Sequence, residues 1–188
     1  MNKKDINTLI AVLRQTYPEA KCSLNFSSPF ELVVAVCLSA QCTDERVNLT
    51  TPKLFQKYKT IEDYANCNLE DLEDLIHPCG FYKNKAKNIK KCANQILTNF
   101  NGEVPNNIED LITLSGVGRK SANVIMLEVF NHAVGIAVDT HCKRISNRIG
   151  LSNEKDPLKI EQDLLKQIDP KDYKDVNHLF IWHRKVYM

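Results

Sequence analysis

Lys120 is the residue with the most distinctive chemistry in this sequence, because it follows two glycines in the segment GVGRK at 116–120. An apolar pattern resumes at Ala122, which places Lys120 in the first turn of a predicted helix. The positive end of the helix dipole, the adjacent Arg119 and any desolvation all disfavour the charged ammonium form there. An uncharged lysine amine is a nucleophile. The alternative is a lysine that contacts a phosphate, and residue types alone leave both interpretations open.

The two glycines indicate what this segment contacts. We expect Gly116 and Gly118 to allow positive φ angles and a close approach to a ligand, while Val117 packs inward. The unpaired amides and the dipole at a helix start together form a seat for one phosphate. With Leu114 and Ile125, the pattern matches a helix-hairpin-helix element, which binds DNA backbone without reading sequence. The alternative is an ordinary packing corner between two helices.

Asp139 is the second candidate for chemistry, since its carboxylate precedes Thr140 at the start of another predicted helix. Its simplest role is therefore an N-cap that accepts hydrogen bonds from backbone amides. Capping does not exclude catalysis, because a capping carboxylate keeps its negative charge.

Length and composition permit one domain or two small lobes, since 188 residues with 43% apolar content can bury a substantial core. A net charge of +2 does not by itself predict nucleic-acid binding. No run approaches the roughly 20 apolar residues of a membrane helix, and the N-terminus lacks the features of a signal peptide. We therefore expect a cytoplasmic protein.

Seven cysteines are scattered singly, without a CxxC pair or a histidine cluster, at positions 22, 37, 42, 67, 79, 92 and 142. This arrangement is typical of reduced, mostly buried thiols and predicts no metal site.

Hydrophobic periodicity and helix caps predict an all-α chain. Residues 4–17 form an amphipathic helix, and Ser28-Pro29 begins a second helix that is apolar all round and expected to be buried. Thr43, Thr60 and Asn68 are the expected N-caps of three more helices. Further helices are predicted at 82–100, 108–114, 119–131, 140–149, from 157, and from 176 to the end, with buried coil at 133–138.

The predicted helix 82–100 is basic, with lysines at 83, 85, 87, 90 and 91 interleaved with apolar residues. One interpretation is a solvated lysine face. The other is an edge that faces the phosphates of a nucleic acid.

Four segments resemble the endonuclease III family of DNA glycosylases in order and spacing. They are LSAQCTDERVN at 38–48, GFYKNKAKNI at 80–89, LSGVGRKSANVI at 114–125 and VDTHCKRISNRIGL at 138–151. The resemblance covers nearly the whole chain. It implies an all-α, two-lobed helix-hairpin-helix glycosylase fold, with one lobe at 22–131, the other at 1–21 plus 132–188, and the active site in the cleft between them. It also favours the phosphate-facing interpretation of the basic helix.

The same resemblance implies a bifunctional base-excision-repair enzyme that removes oxidised pyrimidines. Lys120 would attack C1′, expel the base and form a Schiff base, and proton loss at C2′ would then eliminate the 3′ phosphate. Asp139 would stabilise positive charge at the breaking glycosidic bond. The implied partner is double-stranded DNA with damaged pyrimidines or abasic sites, bound by a nucleoid-associated monomer.

Because such a base must leave the stack, the resemblance assigns Gln41 to the vacated position and Phe81 to an apolar wedge. The alternatives are a helix-end hydrogen-bonding role for Gln41 and a core position for Phe81. The remaining expected DNA contacts are Lys83, Leu114, Gly116, Val117, Gly118, Arg119 and His141.

The chain departs from the family pattern in two places. Ser115 replaces a proline, which removes backbone stiffness at the hairpin entry. The family's Cys-x6-Cys-x2-Cys-x5-Cys loop for a [4Fe-4S] cluster is absent, so we expect no cofactor and interpret the C-terminus as truncated or frameshifted. Two alternatives stay open: a non-catalytic DNA-binding relic, and a monofunctional glycosylase, which Lys120 disfavours because adenine-removing relatives lack this lysine.

Overall fold

The computed structural model describes residues 2–187, and the side chains of residues 2–183. Within this range the chain is all-α, as the sequence predicts, and residues 133–138 form coil. No helix in the described range has the length and hydropathy to cross a membrane. The helices are α1 Lys3–Thr16, α2 Pro29–Ser39, α3 Asp44–Lys57, α4 Ile61–Asn66, α5 Leu69–Ile76, α6 Tyr82–Asn99, α7 Ile108–Leu111, α8 Arg119–Phe130, α9 Thr140–Arg148, α10 Pro157–Gln167 and α11 Tyr173–Tyr187, with short 3-10 turns at His77–Cys79 and Pro170–Asp172.

The chain divides into two compact units. Unit 1 comprises Met1–Cys22 and Met126–Met188, and unit 2 comprises Ser23–Ile125. One boundary therefore lies inside α8, between Ile125 and Met126.

Helix α2 is the buried centre of unit 2, and every residue from 32 to 38 is at most 7% exposed. Ser28 caps this helix as predicted, and its hydroxyl accepts a hydrogen bond from the Glu31 amide at 3.2 Å. The Glu31 carboxylate accepts from the Ser27 amide at 2.6 Å, so the return bond differs by one residue from the predicted reciprocal cap. Local hydrogen bonds of this kind fix the start of the helix.

Unit 1 is built around the apolar face of α1. Ile6, Ile10, Leu13 and Tyr17 are buried in one cluster with apolar residues of α9, α10 and α11. Helix α11 begins at Tyr173 rather than at 176, because the 3-10 turn at Pro170–Asp172 leads directly into it. The N-terminal helix thus finds the apolar partner that its amphipathic pattern requires.

Candidate active site

The hairpin between α7 and α8 belongs to unit 2. Helix α7 ends at Leu111 rather than at Leu114, because the Leu114 amide donates to the Leu111 carbonyl three residues back, at 3.1 Å. Gly116 has a φ of 84°, which confirms the predicted need for glycine there. Gly118 does not have a positive φ, contrary to expectation. Its carbonyl accepts the first helical bond of α8 from Ala122 at 2.9 Å, and this N-cap position needs no left-handed backbone.

The two glycines face different surroundings. A Cβ atom added at Gly116 would lie 3.1 Å from Asn88 Cβ and 3.2 Å from Cys37 Sγ, inside unit 2. A Cβ atom added at Gly118 would meet nothing within 4 Å. Gly116 is therefore required for packing, whereas Gly118 presents open backbone at the start of a helix.

Helix α6 holds the hairpin entry by side-chain hydrogen bonds. The Ser115 amide donates to Gln95 Oε1 at 2.8 Å, and the Ser115 hydroxyl donates to Asn88 Oδ1 at 3.0 Å. Gln95 Nε2 in turn donates to the Thr113 carbonyl at 3.1 Å. A proline at 115 has no amide proton for the first of these bonds. The expected loss of stiffness is thus offset by hydrogen bonds that the sequence did not reveal.

Lys120 lies in the first turn of α8, as predicted, and its side chain is exposed. The burial that the sequence interpretation allowed for Lys120 is therefore not present in the structure. Leu114 and Val117 are 2% and 5% exposed. Because their side chains are buried, the DNA contacts predicted for these two residues are limited to their backbone atoms.

Asp139 is the N-cap of α9 in unit 1, which confirms the capping prediction. Its Oδ1 atom accepts from the amides of His141 at 2.9 Å and Cys142 at 2.7 Å. Among the described residues no hydrogen bond reaches Oδ2, so one carboxylate oxygen caps and the other keeps its lone pairs for chemistry. His141 is half-buried, with Nε2 3.3 Å from the Thr140 hydroxyl.

Gln41 and Phe81 share an unusual backbone in unit 2. Their φ angles are 54° and 48°, in the left-handed region that non-glycine residues seldom adopt. Phe81 is 66% exposed, so the alternative that it is a core aromatic is wrong. Gln41 is exposed, and its side chain makes no hydrogen bond within the described part of the chain, which disfavours the helix-end alternative. Strained backbone of this kind concentrates at functional sites.

The lysines of α6 do not form one uniform face. Lys83, Lys87 and Lys91 are exposed, whereas Lys90 Nζ donates to the Cys67 carbonyl at 2.6 Å. Lys85 is only 6% exposed, so both sequence interpretations are wrong for this residue. The burial of Lys85 could have been predicted from its spacing, because position 85 falls on the same helical face as Ile89, Cys92 and Ile96, which are all buried.

The described cysteines are not grouped in a way that could hold the iron–sulfur cluster typical of the family. Five are buried, and the described residues contain no group of three or more His, Cys, Asp or Glu side chains placed to hold a metal. Burial raises the pKa of Cys37 and of Cys142 to about 12, which keeps both as neutral thiols.

Residues 34–170 match the sequence profile described as HhH-GPD superfamily base excision DNA repair protein. The chain is similar to the endonuclease III of Synechocystis sp., at 45% identity over 181 residues, which is 96% of this chain and 83% of that protein. The endonuclease III of Bacillus subtilis is 45% identical over 183 residues, 97% of this chain and 83% of that protein.

Comparison with solved structures points to the same family. The solved structure of a trapped endonuclease III–DNA covalent intermediate matches with a TM-score of 0.92 and 41% identity, over 97% of this chain and 85% of that one. The chain therefore belongs to the endonuclease III family, a group of base excision repair DNA glycosylases with abasic-site lyase activity.

Proposed function

We propose that this protein removes oxidised pyrimidines from DNA and cleaves the strand at the resulting abasic site, with Lys120 as the nucleophile. The observation that carries the proposal is the exposed primary amine of Lys120 in the first turn of α8, directly after the open backbone of Gly118. A relative 41% identical to this chain was solved as a trapped covalent intermediate with DNA, which supports a covalent mechanism.

The hairpin provides the binding step. The amides at the start of α8 and the positive end of its dipole attract one phosphate oxygen, and the absence of a side chain at Gly118 allows close approach. A phosphate held there places the adjoining sugar near the first turn of α8, which carries Lys120. Lys120 is thereby delivered to C1′ without any contact to a base edge.

The proposed chemistry uses Lys120 and Asp139. The Lys120 amine forms a bond to C1′ as the glycosidic bond breaks and the base leaves with its electron pair. Oδ2 of Asp139 stabilises the positive charge that develops on the sugar, while Oδ1 keeps the carboxylate oriented through the cap. Ring opening gives a Schiff base, and loss of a C2′ proton expels the 3′ phosphate.

Extrusion of the damaged nucleotide falls to Gln41 and Phe81. An exposed aromatic ring at Phe81 suits a wedge between stacked bases, and the exposed amide of Gln41 suits the vacated position. Ring-saturated pyrimidines stack poorly, so extrusion costs least for the proposed substrates.

Borohydride trapping on abasic-site DNA tests the nucleophile. The wild-type protein is expected to give a covalent adduct and Lys120→Gln none, whereas Arg119→Gln, which removes a cation from the same turn, retains trapping at saturating DNA. Trapping by Lys120→Gln at wild-type yield would contradict the assignment. Base excision without any wild-type adduct would indicate a monofunctional glycosylase, and DNA binding with neither reaction a relic.

Asp139→Asn separates capping from catalysis. Asparagine retains an oxygen that caps the helix but loses the charge, so the thermal midpoint is expected to stay within about 1 °C while base excision is lost. Equal loss of stability and excision would leave Asp139 with a structural role alone.

A further inference from the structure

Lys85 is a buried cation that the proposed reaction does not use. It lies in the first turn of α6, and its Nζ donates to the backbone carbonyls of Leu38 at 2.8 Å and Cys79 at 2.9 Å. Leu38 is in the last turn of α2, and Cys79 ends the 3-10 turn at His77–Cys79. One ammonium group therefore binds the ends of two segments that are far apart in sequence.

Both segments lead directly into the residues proposed to enter DNA. Leu38 precedes Gln41 by three residues, and Cys79 precedes Phe81 by two. Left-handed conformations at non-glycine residues persist only where the surrounding structure holds them. Hydrogen bonds from a buried ammonium are among the stronger ones available for that purpose.

The charge of Lys85 has no counter-ion among the described side chains. The titratable groups that surround Nζ are the thiols of Cys37, Cys42 and Cys79, and burial raises the pKa of Cys37 and of Cys79. Burial likewise lowers the pKa of Lys85. A buried ammonium without a carboxylate partner costs stability that an apolar side chain would not. Packing alone therefore does not account for a lysine at this position.

We propose that Lys85 is a positioning residue that sets the placement of Gln41 relative to Phe81, so that both side chains enter the DNA together. This inference rests on the proposed function, because it assigns a purpose to a contact that supports the two insertion residues. The inference does not involve Lys120, so an experiment can refute the positioning role of Lys85 and leave the catalytic role of Lys120 standing.

Lys85→Met tests the proposal, because methionine fills similar volume and donates no hydrogen bond. Lys90→Met is the matched control, since Lys90 also donates from α6 to a carbonyl, that of Cys67, but touches neither insertion segment. The probes are duplexes with a tetrahydrofuran abasic analogue or undamaged sequence, and 2-aminopurine opposite the analogue reports insertion. Thermal midpoints are measured in parallel.

Lys85→Met is expected to lose about tenfold of its preference for the tetrahydrofuran duplex, together with the 2-aminopurine signal, because two side chains must then be ordered on binding. Lys90→Met is expected to keep both, whatever its thermal midpoint. Wild-type preference and signal in a folded Lys85→Met protein would overturn the inference and leave Lys120 trapping untouched.

A second measurement decides the matter if Lys85→Met fails to fold. Joint insertion predicts that Gln41→Ala and Phe81→Ala are coupled in the wild-type background, so that the double variant loses less binding free energy than the sum of the single losses. Additive losses would mean that the two side chains act independently, and the proposal would then be wrong.

Discussion

Gly116→Ala should destabilise the protein because two separate costs act at that position. A φ of 84° costs alanine about 1–2 kcal/mol. The new Cβ would lie 3.1 Å from Asn88 Cβ and 3.2 Å from Cys37 Sγ, closer than ordinary contact, and such overpacking costs about 1–3 kcal/mol. The reduced freedom of the unfolded chain offsets about 0.4–1 kcal/mol. We therefore expect the free energy of unfolding to fall by about 3 kcal/mol.

Gly118→Ala is the matched control on the other side of Val117. It meets no neighbour within 4 Å and needs no positive φ, so the free energy of unfolding should change by less than about 0.5 kcal/mol. Its Cβ would project into the space where the proposed phosphate approaches. Affinity for a tetrahydrofuran duplex should therefore fall even though stability does not.

Urea unfolding and duplex binding, measured on both variants, separate the two roles. Equal destabilisation by the two substitutions would contradict the packing difference between the glycines. Wild-type affinity in Gly118→Ala would contradict the phosphate seat, whatever Gly116→Ala does, because the open backbone would then have no ligand to accommodate.

Three further outcomes are expected. Burial raises the pKa of Cys37 and Cys142 from 9.0 to about 12, so these thiols lose their protons in the unfolded chain at a lower pH than in the folded protein. The free energy of unfolding should therefore fall as the pH rises from 9.0 towards 12, by about 4 kcal/mol for each thiol. Urea titrations across this pH range measure the effect, and a flat profile would refute the prediction. Gln95→Ala removes the hydrogen bond to the Ser115 amide, so it should lower the free energy of unfolding by about 1 kcal/mol and weaken DNA binding, whereas Gln95→Glu retains the acceptor oxygen. Identical DNA affinities of the wild-type protein and both variants would exclude an anchoring role for Gln95. The purified chain should be colourless, and iron in stoichiometric amount with visible absorption would show that its seven cysteines do hold a cluster.

The parts of the site that the sequence predicted are those set by local interactions. Lys120 and Asp139 were placed at helix starts, and the structure confirms both positions because capping and glycine turns act within a few residues. The buried helix α2 was likewise predicted from its run of apolar residues. Caps, turns and periodicity are all visible in one stretch of chain.

The left-handed backbone at Gln41 and Phe81 could not be predicted from residue type. Neither is glycine or asparagine, the residues that signal such a conformation, and the φ angles depend on how neighbouring segments are held. The anchoring of Ser115 was missed for the same reason, since its partner Gln95 is 20 residues away along the chain. Contacts of this range leave no periodic pattern in a single sequence.

Helix α6 accounts for much of what was missed, because side chains on one side of it support both the hairpin and the two residues proposed to insert into DNA. Lys85 binds the segments that precede Gln41 and Phe81, and Asn88 and Gln95 bind Ser115. At about 100° per residue, these three side chains fall within an arc of about 80°. The sequence indicated a surface from the lysines of this helix, and that holds for Lys83, Lys87 and Lys91, which are exposed. Lys85 lies on the buried face of α6, and Asn88 and Gln95 are half-buried beside it, so a change in the position of α6 would displace the proposed insertion residues and the proposed phosphate seat together.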